Sequence, residues 1–398
     1  MILYLYTVFT LTLLTLFLAG VAERRRHERN LERIPVRILV NGIRGKSSIT
    51  RLTAGALRGG HLKVVAKTTG TAARFIHPDA TEEPVYRKFG IANVVEQIGI
   101  VRRAAAVRPD VLVMECMAVQ PALQEINQKV LIRSTIGVLC NVREDHLDEM
   151  GPTLDDVARS LSRSMPDGGV CVTAEWDRRA LLKTEAVRRG CELVVAEGES
   201  VSDEEMAGFR YTTFKENVAI ALSVADRLGV DRASALRGMY AAPPDPGVLT
   251  VEEYEMEEGT VRLANIFAAN DPESTVMNFR HLVDSGQIKP PFITLINCRP
   301  DRIERNGQMG RIVRELNTDT LVLIGHPTRS ARDAVPAHWP GRILDLGGPQ
   351  RDPAQIWRAI AGQVSGTASL VAVGNIHGQG ERLLEHVESL APAQRAAR

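Results

Sequence analysis

The longest unbroken apolar run opens the chain. Ile2 to Ala22 holds no charged residue, and Leu, Phe, Val, Tyr and Thr dominate it. Helices rise about 1.5 Å per residue, so roughly 20 such residues span a bilayer core. Arg24, Arg25, Arg26 and Arg29 follow at once. A secretory signal carries its positive charge ahead of the apolar run, whereas this chain carries it behind. The positive-inside rule predicts a transmembrane anchor over 1–22, a basic juxtamembrane segment over 23–35 and a cytoplasmic remainder. Two other readings stay open: Gly20 and Ala22 suit a signal peptidase, and a buried helix would show the same apolarity.

Beyond the arginines the pattern changes to short β-rich runs separated by amphipathic stretches. Strands are predicted at Val36–Asn41, Leu62–Ala66, Asp110–Glu115, Thr135–Asn141, Gly169–Thr173 and Glu192–Ala196. Helices fall at Ser47–Arg58, Asn93–Val107, Pro121–Leu131, Thr153–Ser164, Asp177–Arg189, Phe214–Leu228 and Arg232–Tyr240. Apolar strands alternating with helices imply a mostly parallel sheet covered on both faces. Ala241–Gly247, with Pro243, Pro244 and Pro246, reads as a linker. The alternation then restarts, with strands at Val261–Phe267, Phe292–Asn297, Thr320–Ile324, Arg342–Leu346 and Ser369–Val373. The expected division is a central domain over 36–242, a smaller α/β (Rossmann-like) domain over 248–390 and a fraying tail over 391–398.

Composition adds limits. With 398 residues, 44% hydrophobic and 24% charged, the chain can bury a core in more than one domain. A net charge of +1 gives no overall field for nucleic acid, and no nucleic-acid partner is expected. Cys116, Cys140, Cys171, Cys191 and Cys298 form no C-x-x-C pair and read as reduced core thiols.

The chemistry gathers where predicted strands end. Gly42-Ile43-Arg44-Gly45-Lys46-Ser47-Ser48 lies between a strand and a helix. Backbone N–H groups in such a turn, with the helix N-terminus, make a nest for phosphate. Lys46 would reach the β- and γ-phosphates of ATP, and Ser47 would ligate Mg²⁺. Val40 stands where the longer Walker pattern wants glycine. Glu115 closes an apolar strand, where a carboxylate is costly unless it meets a cation or donors. It is either a Mg²⁺ ligand or a partner for the next helix. His146 sits among Glu144, Asp145 and Asp148, as a second metal ligand or a solvated histidine. Lys67–Thr71 reads as an acceptor-side loop or a plain turn. Arg299, Asp301, Arg302 and Arg305 read as an anion contact or a solvated charge run, and the Gly374–Gly380 loop with His377 could close over a site.

Taken together, the strand, the G-x-x-G-K-S-S loop, the strand-end Glu115 and Asn141-x-x-x-Asp145-His146-Leu147-Asp148 resemble the Mur ligases and folylpolyglutamate synthases. Phe214–Leu222 is similar to that superfamily's adenine-side helix, which places Asn217 at the nucleotide. Within the superfamily, Asn41–Thr50, Lys67–Thr71, Met114–Pro121, Asn141–Gly151 and Gly374–Glu381 resemble the ligase subunits of bacterial poly-γ-glutamate synthases, over essentially the whole chain. The resemblance implies an ATP-dependent amide ligase that activates a γ-carboxylate as an acyl phosphate for attack by the α-amine of glutamate. It implies Lys46, Glu115 and His146 as catalytic residues, and Gly42 to Ser48 with Asn217 as the ATP contacts. Ser47, Glu115 and His146 would be the metal ligands, with ATP and Mg²⁺ as cofactors. The implied partners are glutamate and the growing polymer, the membrane and further integral membrane subunits, and a homo-oligomer fits the same picture.

Several positions depart from that pattern. Many Mur ligases carry a carbamylated lysine near the position of Ser160, and no lysine lies between Thr153 and Ser164. The P-G-R junction reads Pro246-Gly247-Val248. Asn265 stands for an aspartate, with Asn270 and Asp271 nearby. The stretch ahead of the P-loop has no room for a separate substrate domain, which argues against a peptidoglycan precursor. Two other functions fit part of the pattern: a membrane-tethered P-loop ATPase serving a transport complex, and a superfamily ligase adding glutamate to another small acid.

Overall fold

The computed structural model describes residues 2–69, 73–86, 93–209, 211–245, 249–256, 259–267, 269 and 271–390. Gly70 and Thr71, Pro246-Gly247-Val248, Asn270 and the tail 391–398 lie outside the described residues. The chain divides into two compact units, Met1–Asp245 and Pro246–Arg398.

In the first unit an eight-stranded sheet has the order β4-β3-β2-β5-β1-β6-β7-β8. The strands are β1 (Val36–Asn41), β2 (Val64–Lys67), β3 (Arg74–Ile76), β4 (Glu82–Pro84), β5 (Val111–Glu115), β6 (Ile136–Leu139), β7 (Val170–Thr173) and β8 (Glu192–Val195). Every neighbouring pair is parallel except β2–β3 and β3–β4. Side chains alternate across a strand, and β1 feeds two cores. Ile38 and Val40 pack with Ile49, Leu52, Val218 and Ile220 from two helices, while Leu39 packs on the other face with Leu112, Met114 and Val101.

The second unit holds a six-stranded sheet of order β13-β12-β11-β14-β10-β9. Its strands are β9 (Thr250–Met256), β10 (Gly259–Asn265), β11 (Phe292–Cys298), β12 (Thr320–Gly325), β13 (Arg342–Asp345) and β14 (Gly366–Gly374). Only β9 runs antiparallel.

Both sheets are therefore mostly parallel, as the alternation requires, and the antiparallel edges were not legible. β3 and β4 are three residues each, and β4 is Glu-Glu-Pro. β9 carries Glu252, Glu253 and Glu255, which suit an exposed edge rather than a buried strand.

At the N-terminus the apolar run and the basic stretch form one helix, Ile2–Glu32, which does not break at residue 22. From Tyr4 it is long and apolar enough to cross a membrane. Its last turns dock onto the first unit: His27 Nε2 donates to the Leu131 carbonyl at 2.9 Å, and Leu31 and Ile34 join the core around Leu112. Arg37, on β1, donates to the carbonyls of Ile132 and Arg133, both at 3.0 Å, and also to that of Ile34. All five cysteines are buried and free of disulfides. Burial pushes the Cys140 thiol up to about 12.

The helix that follows the glycine loop, Lys46–Gly59, crosses the helix Arg232–Ala241 at glycines. A Cβ on Gly238 would lie 2.1 Å from the Gly55 carbonyl oxygen, and one on Gly59 would lie 2.0 Å from that of Ser234. Backbone is what each methyl would strike, so relief requires the helices to separate. Gly238→Ala should cost about 1–3 kcal/mol and lower Tm by roughly 2–4 °C for each kcal/mol. Thermal denaturation of the purified variant checks this, and an unchanged Tm would contradict the close crossing.

Candidate active site

β1, β5 and β6 are adjacent and parallel, so their C-terminal ends lie side by side, where function gathers in such sheets. Val40 pairs with Glu115 in register, which sets the carboxylate beside the loop that follows β1. Gly42, at φ 139, packs so closely that a Cβ there would lie 2.8 Å from that of Cys140. Gly45 is left-handed, at φ 78, and caps the helix that Lys46 begins. Both angles favour glycine.

Lys46 turns back on its own loop, with Nζ donating to the carbonyls of Gly42 at 2.8 Å and Ile43 at 3.1 Å. Two donors converge on one oxygen of Glu115: Ser47 Oγ at 2.8 Å and the Thr69 backbone N–H at 2.7 Å. The glutamate is only 2% exposed. A hydroxyl and a buried carboxylate at hydrogen-bond distance are a hard-oxygen donor pair, which fits Mg²⁺. Asn217 comes from the helix Lys215–Arg227 and lies against Gly45, where a Cβ would meet its Oδ1 at 3.4 Å.

The loop after β6 is stitched to the glycine loop. Arg44 N–H donates to Asn141 Oδ1 at 3.0 Å, and Asn141 Nδ2 donates back to the Arg44 carbonyl at 3.1 Å. The Arg44 guanidinium pairs with Asp145 at 3.2 Å. His146 holds a left-handed backbone, φ 52, at the start of the short helix Leu147–Met150. Its ring lies between Asp145, at 3.7 Å, and Glu149, at 3.8 Å. The structure thus brings Lys46, Ser47, Glu115 and Asn217 around the glycine loop, while the ion-pair partners of His146 lie in its own loop. No group of three or more His, Cys, Asp or Glu side chains suited to a metal occurs among the described residues.

Ser160, near the position where the resemblance leads one to expect a Mur-type lysine, is buried in a neutral network. Asn41 Nδ2 donates to Gln124 Oε1 at 2.9 Å and Ser164 Oγ at 3.0 Å, and Gln124 Nε2 donates to Ser160 Oγ at 3.2 Å. Lys67, the last residue of β2, is fully buried against Glu96 at 2.7 Å. In the second unit the two loops singled out from sequence meet at neighbouring strand ends. Asn297 Nδ2 donates to the His377 carbonyl at 2.9 Å, Arg305 reaches Asn375 at 3.4 Å, and Arg299 forks onto Asp301.

Sequence reasoning missed one charged cluster. Arg51, on the helix that begins at Lys46, is 2% exposed and grips Glu82 on β4 and Asp245. A charge among the buried positions Ile49, Thr50, Leu52 and Thr53 was the available signal. Burial pushes the Asp245 carboxyl up to about 6 against the pull of Arg51, and the charges of Glu115 and Glu82 push the same way.

A glycine-loop helix with a strand-end carboxylate, on a parallel sheet followed by a second α/β unit, defines a Mur-ligase-type ATPase. Comparison with known proteins is consistent: residues 40–242 match the Mur ligase middle domain, and residues 251–390 match the poly-gamma-glutamate synthase CapB C-terminal domain. The chain is 39% identical to capsule biosynthesis protein CapB of Bacillus anthracis over 325 residues, covering 81% of this chain and 70% of that protein. It is 36% identical to PGA synthase CapB of Bacillus subtilis (strain 168) over 375 residues, covering 92% and 94%. A bifunctional folylpolyglutamate synthase/dihydrofolate synthase solved with Mn, AMPPNP and L-glutamate shares its fold, with TM-score 0.65, 17% identity and 93% of each chain covered. The chain belongs to the CapB family of Mur ligases and is an ATP-dependent, amide-bond-forming ligase.

Asp245 supplies a prediction with a sign. Its folded pKa lies above the ordinary value of 3.8, so the fold favours the protonated acid. The associated stability is present below that ordinary value and is lost as pH rises through about 6. Asp245→Asn should match wild type in stability near pH 4 and exceed it above pH 7, by on the order of 2–3 kcal/mol of unfolding free energy. Paired melting curves across pH check this, and a pH-independent difference would refute it.

Proposed function

We propose that this ligase joins glutamate to glutamate to make poly-γ-glutamate. The observation that carries the reading is the cluster of Lys46, Ser47 and Glu115 at the ends of β1 and β5. The names of the CapB relatives and the L-glutamate and AMPPNP bound by the synthase of like fold support the substrates.

The γ-carboxylate of one glutamate attacks the γ-phosphorus of ATP. The bond to the bridging oxygen breaks, ADP leaves and an acyl phosphate forms. The α-amine of a second glutamate attacks the acyl carbon and gives up a proton to solvent, and phosphate departs with the bonding pair. Little covalent chemistry falls to the protein, so positioning and charge carry the rate. Backbone N–H groups from Gly42 to Ser48, with Ile43 and Arg44 between the glycines, cradle the phosphates. Lys46 exchanges its two loop carbonyls for phosphate oxygens. Asn217 borders the nucleotide beside Gly45. Ser47 and Glu115 would hold Mg²⁺, which supplies charge neutralisation at the transferring phosphoryl. His146, in the loop stitched to Arg44, serves the acyl-phosphate side. The neutral network at Ser160 favours one metal rather than two.

The helix Ile2–Glu32 anchors the enzyme, with its catalytic units in the cytoplasm. A polymer bound outward needs a path, so further integral membrane subunits complete the synthase.

Lys46→Ala should lower glutamate-dependent phosphate release at least about 100-fold, with the fold intact by circular dichroism. Nucleotide analysis should find ADP and phosphate, and AMP with pyrophosphate would overturn the acyl-phosphate route. Acid hydrolysis and NMR of the product should show γ-linkage. Removing residues 1–22 should leave ATP-analogue affinity unchanged and abolish flotation with membranes, and flotation retained would show another docking surface.

A further inference from the structure

Arg51 belongs to none of the groups assigned above, yet it is a buried cation with several partners. Its guanidinium forks onto Glu82, with Nη2 2.9 Å from Oε2 and Nη1 against Oε1. Nη1 also reaches the Pro243 carbonyl at 3.4 Å, and Nε lies 3.5 Å from Asp245 Oδ1. One side chain thus holds an edge strand and two points of the segment by which the chain leaves the first unit. Asp245 is the last residue of that unit.

Burying a guanidinium with two carboxylates is not a cheap way to stabilise a fold, since desolvation offsets much of the attraction. Asp245 faces Arg51 from the glycine-loop helix, Glu82 from β4 and the charge of Glu115 from β5. The fold resists its ionisation, so its place beside Arg51 is held against a local cost. Arg51 lies five residues beyond Lys46 on one rigid helix, about one and a half turns. Any shift of that helix when its N-terminus takes up phosphate reaches Asp245 and Pro243 directly.

We propose that Arg51 is a positioning residue that latches residues 243–245, where the chain leaves the first unit, to the phosphate-loop helix, so that the phosphate loop and those residues move as one body. The chain carrying the second unit departs from Asp245, and misplacing a point of departure by an ångström is enough to cost a ligase much of its rate. Lysine keeps the charge of arginine but cannot fork onto a carboxylate and reach two further acceptors. The effect on turnover rests on the ligase reading, whereas the latch itself does not.

The test uses the full chain in detergent. Hydrogen exchange of the peptide spanning residues 240–252 reads the latch, and steady-state phosphate release with ATP and glutamate reads turnover. In Arg51→Met, exchange in that peptide should rise at least tenfold while peptides of β1, β5 and β6 stay unchanged. The kcat should fall at least tenfold with KM for ATP within threefold, and Arg51→Lys should lie between. Unchanged linker exchange would overturn the proposal, and so would loosening of the whole unit with kcat and ATP binding lost together. If Arg51→Met does not fold, Asp245→Asn takes its place: faster linker exchange without a lower Tm supports the latch, and wild-type exchange rejects it. If the wild-type enzyme releases no phosphate on adding glutamate, the ligase reading fails, and linker exchange alone decides the latch.

Discussion

A carboxylate buried at the end of β5 is the constraint around which the first unit is arranged. An ionised Glu115 at 2% exposure is untenable without donors or a cation. The fold supplies two donors from separate segments, the Ser47 hydroxyl from the helix after β1 and the Thr69 N–H from the loop after β2. Both segments can reach it because β5 lies between β1 and β2 in a parallel sheet, where all three chains emerge at the same edge. Strand order, the glycine turn and the register of Val40 with Glu115 all serve that convergence.

Around this carboxylate the unit holds both ion pairs and a neutral polar network. On the β2 side, Lys67 with Glu96 and Arg51 with Glu82 and Asp245 are buried or half-buried ion pairs. On the other side, Asn41, Gln124, Ser160 and Ser164 satisfy one another without charge. A satisfied neutral network is stable in a low-dielectric interior, and introducing one cation would leave it unpaired.

The apolar N-terminal helix enters the same architecture. Three residues separate its end from the start of β1, and β1 runs into the glycine loop. His27 and Leu31 in its last turns, and Ile34 just beyond them, fix it to the first unit, the latter two in the core that holds Leu112 and Met114. The stretch of basic residues after Ala22 is therefore helical, continuous with the apolar helix and docked on the first unit at its end.

By itself the sequence determined the sheets, the glycine loop, the strand-end glutamate and the apolar helix, because each is written in contiguous residues with a local period or turn chemistry. The alternation gave parallel order, and the family entered through the resemblance of its motifs. Tertiary structure alone decided the rest. Edge strands β3, β4 and β9 are short or acidic, and only their neighbours make them strands. That Ser47 and Thr69 share one oxygen of Glu115, that Ser160 belongs to a network begun at Asn41, and that Arg51 reaches Asp245, 194 residues away by subtraction of their numbers, are contacts between segments remote in the chain. No local pattern encodes them, because hydrogen bonds and ion pairs depend on where the folded sheet delivers each side chain.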